Sequence, residues 1–120
     1  MLISMILVGI VAAIHIYILY LEMFQWATPK GMKAFGTTEQ VAKDSQSLAF
    51  NQGLYNGFLA AGLIWGLVYP DDSVGQHIQL FFLGCVFVAG IVGSLTAKRS
   101  ILYIQALPAL LGIIAILLQW

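Results

Sequence analysis

The stretch HIYILYLEMFQW, from His15 to Trp26, combines the apolar composition of a membrane-spanning helix with two ionisable side chains. His15 and Glu22 are seven residues apart, close to two turns of an α-helix at about 3.6 residues per turn, so both side chains fall on the same helix face. Ionisable groups are costly in hydrocarbon and normally face protein or water. The stretch therefore predicts a membrane helix whose inward face is the stripe Ser4, Val8, Val11, His15, Ile18 and Glu22.

The composition extends this prediction to the whole chain. Of its 120 residues, 61% are hydrophobic and 8% are charged, whereas a soluble domain is about 45–50% apolar and about 25% charged. The formal net charge is zero, which gives no indication of a nucleic-acid partner. The single cysteine, Cys85, excludes an internal disulfide and multi-cysteine metal sites. We expect one domain in the lipid bilayer.

Four segments of the chain qualify as membrane spans, because a spanning helix needs about 20 mostly apolar residues. They are residues 2–25, 52–69, 78–97 and 101–118. Thr28-Pro29-Lys30-Gly31 and Pro70-Asp71-Asp72-Ser73 are turn sequences that separate the first three, and a short polar link precedes the fourth. The predicted fold is all-α: an integral membrane four-helix bundle in a single domain, residues 1–120.

The basic residues predict the orientation of this bundle. They lie in the first predicted loop (Lys30, Lys33, Lys43) and in the third (Lys98, Arg99). The positive-inside rule therefore places loops 1 and 3 in the cytoplasm and the N-terminus and C-terminus outside. Within loop 1, the Thr-x-x-Gln capping box of Thr37-Thr38-Glu39-Gln40 predicts a cytoplasmic helical extension over about residues 38–51.

With this orientation, several polar side chains lie in the cytoplasmic half of the membrane. We interpret His15 and Glu22 as acid, base or ligand anchors at a polar pocket that opens to the cytoplasm. The residues expected to orient a ligand there by hydrogen bonds are Asn51, Tyr55, Asn56 and Gln105. The alternative is that such groups only bond helices together, which is worth about 0.6 kcal/mol each. No metal site is expected, because His15 and Glu22 are too far apart on one helix to chelate alone.

Small residues and one proline predict how the helices pack. The stripes Gly53-xxx-Gly57-xxx-Ala61 and Ala89-xxx-Gly93-xxx-Ala97 let helices approach closely. Gly62-xxx-Gly66 forms a further small-residue face, which suggests a homo-oligomer. Pro108 predicts a kink in the fourth helix that frees the carbonyl of Ile104.

Several motifs together resemble one protein family. They are LEMF within the opening stretch, NQGLYNG at residues 51–57, FFLGC-x-x-x-AGI-x-G at residues 81–93, and QALPA at residues 105–109. This pattern is similar to a bacterial family of small membrane proteins catalogued as domain of unknown function 1304. The resemblance covers almost the whole chain and implies a four-helix protein of the bacterial plasma membrane. It supplies no established activity, and the cofactor stays unknown.

The second predicted helix is also similar in style, over residues 50–56, to that of the MAPEG family of glutathione- and eicosanoid-handling membrane proteins. That resemblance implies four helices, cytoplasmic first and third loops, and trimers. The MAPEG pattern has a basic residue shortly before the asparagine and a glutamate after it. This chain has Ser47 and Leu48 before Asn51, and Tyr55 with Asn56 after it. Because this chain lacks that basic residue and that glutamate, the resemblance does not imply that it binds glutathione.

Three functions remain open from the sequence. In the first, the protein binds or processes a small amphipathic or lipid-like ligand in the polar pocket. In the second, it is a small proton-coupled transporter in which Glu22 exchanges its proton for substrate. In the third, it is a non-catalytic scaffold that docks other helices, and Glu22 affects only stability.

Overall fold

The computed structural model describes all residues from Met1 to Trp120, and its regular elements are all helical. They are α1 (Leu2–Phe24), α2 (Pro29–Phe35), α3 (Glu39–Asp44), α4 (Gln46–Val68), α5 (Asp72–Thr96), a π-helical turn (Leu102–Ala106) and α6 (Leu107–Leu117). The all-α prediction is confirmed. Helices α1 and α5 are long and apolar enough to cross a membrane. Only 28% and 22% of their most apolar windows are buried, whereas the core helix of a soluble protein is mostly buried.

Local capping explains two helix starts that differ from the sequence-based expectation. Thr28 caps α2, where its side chain accepts the Gly31 N–H, and Pro29 occupies the first helical position, where its missing N–H is harmless. Asp71 caps α5 by accepting the Val74 N–H at 3.0 Å. Helix α5 therefore begins at Asp72, before the apolar segment that starts at residue 78.

The region between α2 and α4 contains a short helix and a break. Thr38 caps α3 by accepting the Val41 N–H at 3.3 Å, so the capping residue is Thr38 and not Thr37, the first residue of the capping box. Helix α3 ends at Asp44, and α4 starts at Gln46. The hydroxyl of Ser45 donates to the Val41 carbonyl at 2.7 Å, a local bond of the kind that competes with regular helix.

The chain divides into two compact units, and helices α1 and α4 each contribute to both. The first unit comprises Met1–Ala13 and Leu59–Trp120, and the second comprises Ile14–Phe58. The first unit contains the main apolar core. Its buried members are Val8, Val11 and Ala12 of α1, Leu63 of α4, Leu83 and Val86 of α5, and Ala109 and Ile116 of α6.

In the first unit, α4 packs closely against α5. A Cβ atom built on Gly66 would lie 2.7 Å from Cγ of Gln79, and one built on Gly62 would collide with the ring of Phe82. The Gly62-xxx-Gly66 face is therefore used within the chain. The homo-oligomer predicted from this face gains no support from it.

Helix α5 meets the π-helical turn at Gly90, which is not part of the predicted stripe, whereas Gly93 of that stripe packs against Ile101, the residue before the turn. A Cβ atom on Gly90 would lie 2.6 Å from the backbone nitrogen of Ala106, whereas Ala89 is exposed. The backbone N–H of Leu107 bonds to the carbonyl of Leu102, five residues earlier. The irregularity predicted near Pro108 is thus a π-helical turn that precedes the proline.

The second unit joins the end of α1 to α2, α3 and the start of α4. The indole Nε1 of Trp26 donates to Oγ of Ser45 at 3.1 Å. The Trp26 ring also packs against Phe35, with ring centroids 4.8 Å apart. These contacts attach Trp26, two residues after the end of α1, to both α2 and the break between α3 and α4.

Candidate functional site

The inward stripe predicted for α1 is buried in the structure. Ser4, Val8, Val11, His15 and Glu22 all have less than 4% of their surface exposed, at 2%, 0%, 1%, 0% and 3%. Ile18, the sixth residue of the predicted stripe, is partly buried. The spacing of three or four residues keeps all six on one face of the helix. The prediction of which face of α1 points inward is confirmed.

Glu22 forms a buried hydrogen bond with Asn56 inside the second unit. Nδ2 of Asn56 donates to Oε1 of Glu22 at 2.5 Å and to the Gln52 carbonyl at 3.2 Å. An asparagine amide has two N–H donors, so one fixes the side chain against its own helix and the other meets the carboxyl group. Asn56 is only 8% exposed. The pair is therefore a preorganised polar centre between α1 and α4.

Glycines on α4 permit this contact. A Cβ atom on Gly53 would lie 2.6 Å from Cγ of Met23 and 3.1 Å from Cβ of Glu22. A Cβ atom on Gly57 would lie 2.7 Å from Cδ1 of Leu19. Larger residues at these positions would push α4 away from α1 and stretch the bond between Asn56 and Glu22. Gly53 and Gly57 thus fulfil the predicted packing role, whereas Ala61 is exposed.

The two other predicted site residues, His15 and Gln105, lie in α1 and in the π-helical turn. His15 is fully buried and lies about 10 Å along α1 from Glu22, at about 1.5 Å of rise per residue. Gln105 lies in the π-helical turn of the first unit and is partly buried. π-Helical turns within helices are frequent at functional sites.

Asn51 and Tyr55 are not brought to the Glu22–Asn56 pair. Both are exposed; Nδ2 of Asn51 donates to the Ser47 carbonyl at 3.1 Å. Five residues of α-helix turn through about 500°, so Asn51 and Asn56 point about 140° apart. The predicted ligand-binding residues of α4 therefore lie on different faces of that helix.

A shallow cavity of about 540 Å³ lies at the start of α4. It is lined by Lys43, Gln46, Ser47, Phe50 and Asn51. Lys43 is also paired with Glu39 at 2.9 Å. Neither Glu22 nor Asn56 lines this cavity, so it is distinct from the polar centre.

Gln79 is a buried polar residue that the sequence reasoning missed. Its Nε2 donates to the Gly66 carbonyl at 3.0 Å, and it is 6% exposed. The sequence contains a pattern that predicts the burial of Gln79, because Gly75, Gln79 and Leu83 follow each other at four-residue spacing on one face of α5. His77, by contrast, is exposed.

Comparison with known proteins places the chain in a family. Residues 9–117 match the family described as "Protein of unknown function (DUF1304)". The uncharacterized protein YpaA of Lactococcus lactis subsp. lactis (strain IL1403) is 32% identical over 114 residues, which cover 93% of this chain and 94% of that protein. No solved structure matches the chain. The matched residues include His15, the Glu22–Asn56 pair and the π-helical turn. Because the match covers most of the chain, the chain belongs to the DUF1304 family of proteins of unknown function.

Proposed function

We propose that the chain is a multi-pass integral membrane protein of the bacterial plasma membrane, with four spanning helical segments. The distribution of its side chains supports this, because large apolar residues are exposed and several polar residues are buried, the reverse of a soluble protein. Large apolar residues within the predicted spans, such as Phe81 and Val88, are 66% and 60% exposed. The buried polar residues are Ser4, His15, Glu22, Asn56 and Gln79. Extensive exposed apolar surface marks contact with a membrane or a partner, and polar groups inside a membrane face the protein interior.

The orientation can be tested with three matched serine-to-cysteine variants, after Cys85→Ala. With loops 1 and 3 cytoplasmic, Ser73→Cys should react with a membrane-impermeant maleimide on intact cells. Ser47→Cys and Ser100→Cys should react only after the membrane is permeabilised. The opposite labelling pattern would reverse the orientation, and recovery of the protein in the soluble fraction would refute membrane insertion.

We infer further that the buried Glu22–Asn56 pair binds the polar end of a small amphipathic or lipid-like molecule, with His15 deeper on the same face. The single observation that supports this is the burial of a carboxyl group against an amide on a helix otherwise suited to lipid. A carboxyl oxygen accepts hydrogen bonds, so a hydroxyl or ammonium head complements it. Asn51, Tyr55 and Gln105 stay predicted ligand-binding residues.

Native mass spectrometry of the protein, extracted gently from its own membrane, tests this function. The wild type should retain a small molecule, and Glu22→Gln should retain at least about tenfold less, since a hydrogen bond to a charged group contributes about 1.5–3 kcal/mol. Glu39→Gln is the matched control, because Glu39 is exposed and paired only with Lys43. Its ligand occupancy should equal that of the wild type.

The same measurement separates the competing hypotheses. If neither wild type nor Glu22→Gln retains a small molecule, and the variant lowers only stability, the helix-docking scaffold replaces the ligand-binding function. If Glu22→Gln retains the ligand but abolishes pH-driven uptake in vesicles, the proton-coupled transporter replaces it. The mass of the intact assembly also tests the predicted homo-oligomer, for which the MAPEG resemblance implies a trimer.

A further inference from the structure

Lys30 of α2 lies over two tyrosine rings on the outer face of α1. Its Nζ is 5.7 Å from the ring centroid of Tyr17 and 5.2 Å from that of Tyr20. Both distances fall within the range of about 6 Å over which a cation is attracted to an aromatic face. The three side chains are all exposed. They form a cluster, here called the Lys30 cluster, that combines one positive charge with two phenol groups.

The turn before α2 fixes the position of this lysine. Oγ1 of Thr28 donates to the Gln25 carbonyl at 2.7 Å and accepts the Gly31 N–H at 3.4 Å. Gly31 is buried, and a Cβ atom there would collide with the backbone carbonyl of Gln25. The chain therefore folds back tightly after α1. This return directs the side chain of Lys30 along α1 toward Tyr17 and Tyr20.

The charge of Lys30 is not neutralised by a carboxylate of the chain. The ion pair that the structure contains joins Lys43 to Glu39. Glu22 lies about 140° from Tyr17 and about 160° from Tyr20 around the α1 axis, at about 100° per residue. Lys30 and Glu22 thus lie on opposite sides of α1. An anion from outside the chain can approach the Lys30 cluster without meeting a competing carboxylate.

We propose that the Lys30 cluster binds the phosphate group of an anionic phospholipid in the cytoplasmic leaflet. The proposal rests on the proposed topology, which places loop 1 in the cytoplasm. The ammonium group and the two phenol hydroxyls are hydrogen-bond donors suited to phosphate oxygens. Tyrosine rings favour the membrane interface, and the lysine stem extends along apolar surface while its charge reaches the headgroups. The lipid chains would then lie against the exposed apolar face of α1.

Lipid retention by the full chain tests the proposal. The protein is reconstituted in phosphatidylcholine vesicles doped with phosphatidylglycerol, and the bound lipids are identified by native mass spectrometry. The wild type should retain phosphatidylglycerol in preference to phosphatidylcholine. Lys30→Met should lower that preference at least about tenfold, because a hydrogen bond between charged groups is lost. Lys30→Arg should restore it, and Lys33→Met, on the same short helix, should lower it by no more than about fivefold, the general effect of one basic residue near an anionic membrane surface.

Three outcomes would overturn the proposal. One is equal phosphatidylglycerol retention by the wild type and Lys30→Met. Another is equal loss in Lys30→Met and Lys33→Met, which would mean a diffuse charge effect. The third is complete displacement of the lipid by inorganic phosphate, which would assign the cluster to free phosphate. Glu22→Gln in the same vesicles separates this proposal from the proposed function, because it should lose the small molecule and keep phosphatidylglycerol.

Discussion

Asn56→Leu is expected to lower the free energy of unfolding by about 3 kcal/mol, because it leaves the buried carboxyl group of Glu22 without its amide donor. Leucine has the same number of side-chain heavy atoms and the same branching as asparagine, so the substitution leaves no cavity and the effect reports the lost hydrogen bond. Glu22→Leu alone should cost less, since the amide of Asn56 keeps its bond to the Gln52 carbonyl. The double variant should recover most of the loss, because it removes both polar partners.

The measurement is a double-mutant cycle on the detergent-solubilised protein, with unfolding followed by circular dichroism. A coupling energy within about 0.5–3 kcal/mol is expected for two side chains in direct contact. Gln79→Leu combined with Glu22→Leu serves as the control, because Gln79 bonds to Gly66 instead. If the effects of Asn56→Leu and Glu22→Leu simply add, the two residues do not act as a pair.

Gly90→Ala is expected to have the second large effect and to destabilise the protein by about 3 kcal/mol, the upper part of the range for overpacking. The added methyl group would lie 2.6 Å from the backbone nitrogen and 2.8 Å from Cα of Ala106. Backbone atoms cannot rotate aside as a flexible side chain does. Helix α5 and the π-helical turn would have to separate.

Gly84→Ala provides the matched control on the same helix. A Cβ atom on Gly84 has no neighbouring atom within 4 Å, so the substitution should be neutral or stabilising by up to about 1 kcal/mol, the difference in helix propensity between the two residues. Thermal unfolding of both variants, followed in one detergent, compares them directly. Equal transition temperatures for the two variants would contradict the close contact at Gly90.

The inward face of α1 was predictable from the sequence because it is a periodic property of one helix. His15 and Glu22 stand out in an apolar run, and helix geometry alone assigns them to one side. The same geometry separates Asn51 from Asn56 on α4, although the predicted pocket grouped them. Local spacing thus determines which side chains share a face of a helix.

The helix starts were less predictable because apolar length is a poor guide to them. Helix α2 was missed, although Thr28, Pro29 and Gly36 are its cap, first residue and left-handed terminator. Likewise, Asp71 starts α5 ahead of its apolar segment. A hydrophobic window ignores these polar signals, which satisfy the free N–H groups at the start of a helix.

Long-range pairing was the part that the sequence could not settle. Glu22 and Asn56 are 34 residues apart. The predicted topology placed both in the cytoplasmic half of the membrane, but nothing local to Glu22 selects Asn56 rather than Asn51 as its partner. In the same way, Gly90 and the neighbouring Ala89 are both small, and only the direction in which α5 faces the π-helical turn decides which one is in contact. Such choices depend on the packing of whole helices.

The π-helical turn also affects how members of the family can differ in length. Each π-helical turn holds one residue more than an α-helical turn, so deletion of one residue between Leu102 and Gln105 would restore regular α-helix. Ala106 would keep its place against Gly90, and α6 would keep its register with α5. Relatives that are one residue shorter in the last helix should therefore show their alignment gap here, whereas a gap within α6 would rotate Ala109 and Ile116 out of the core.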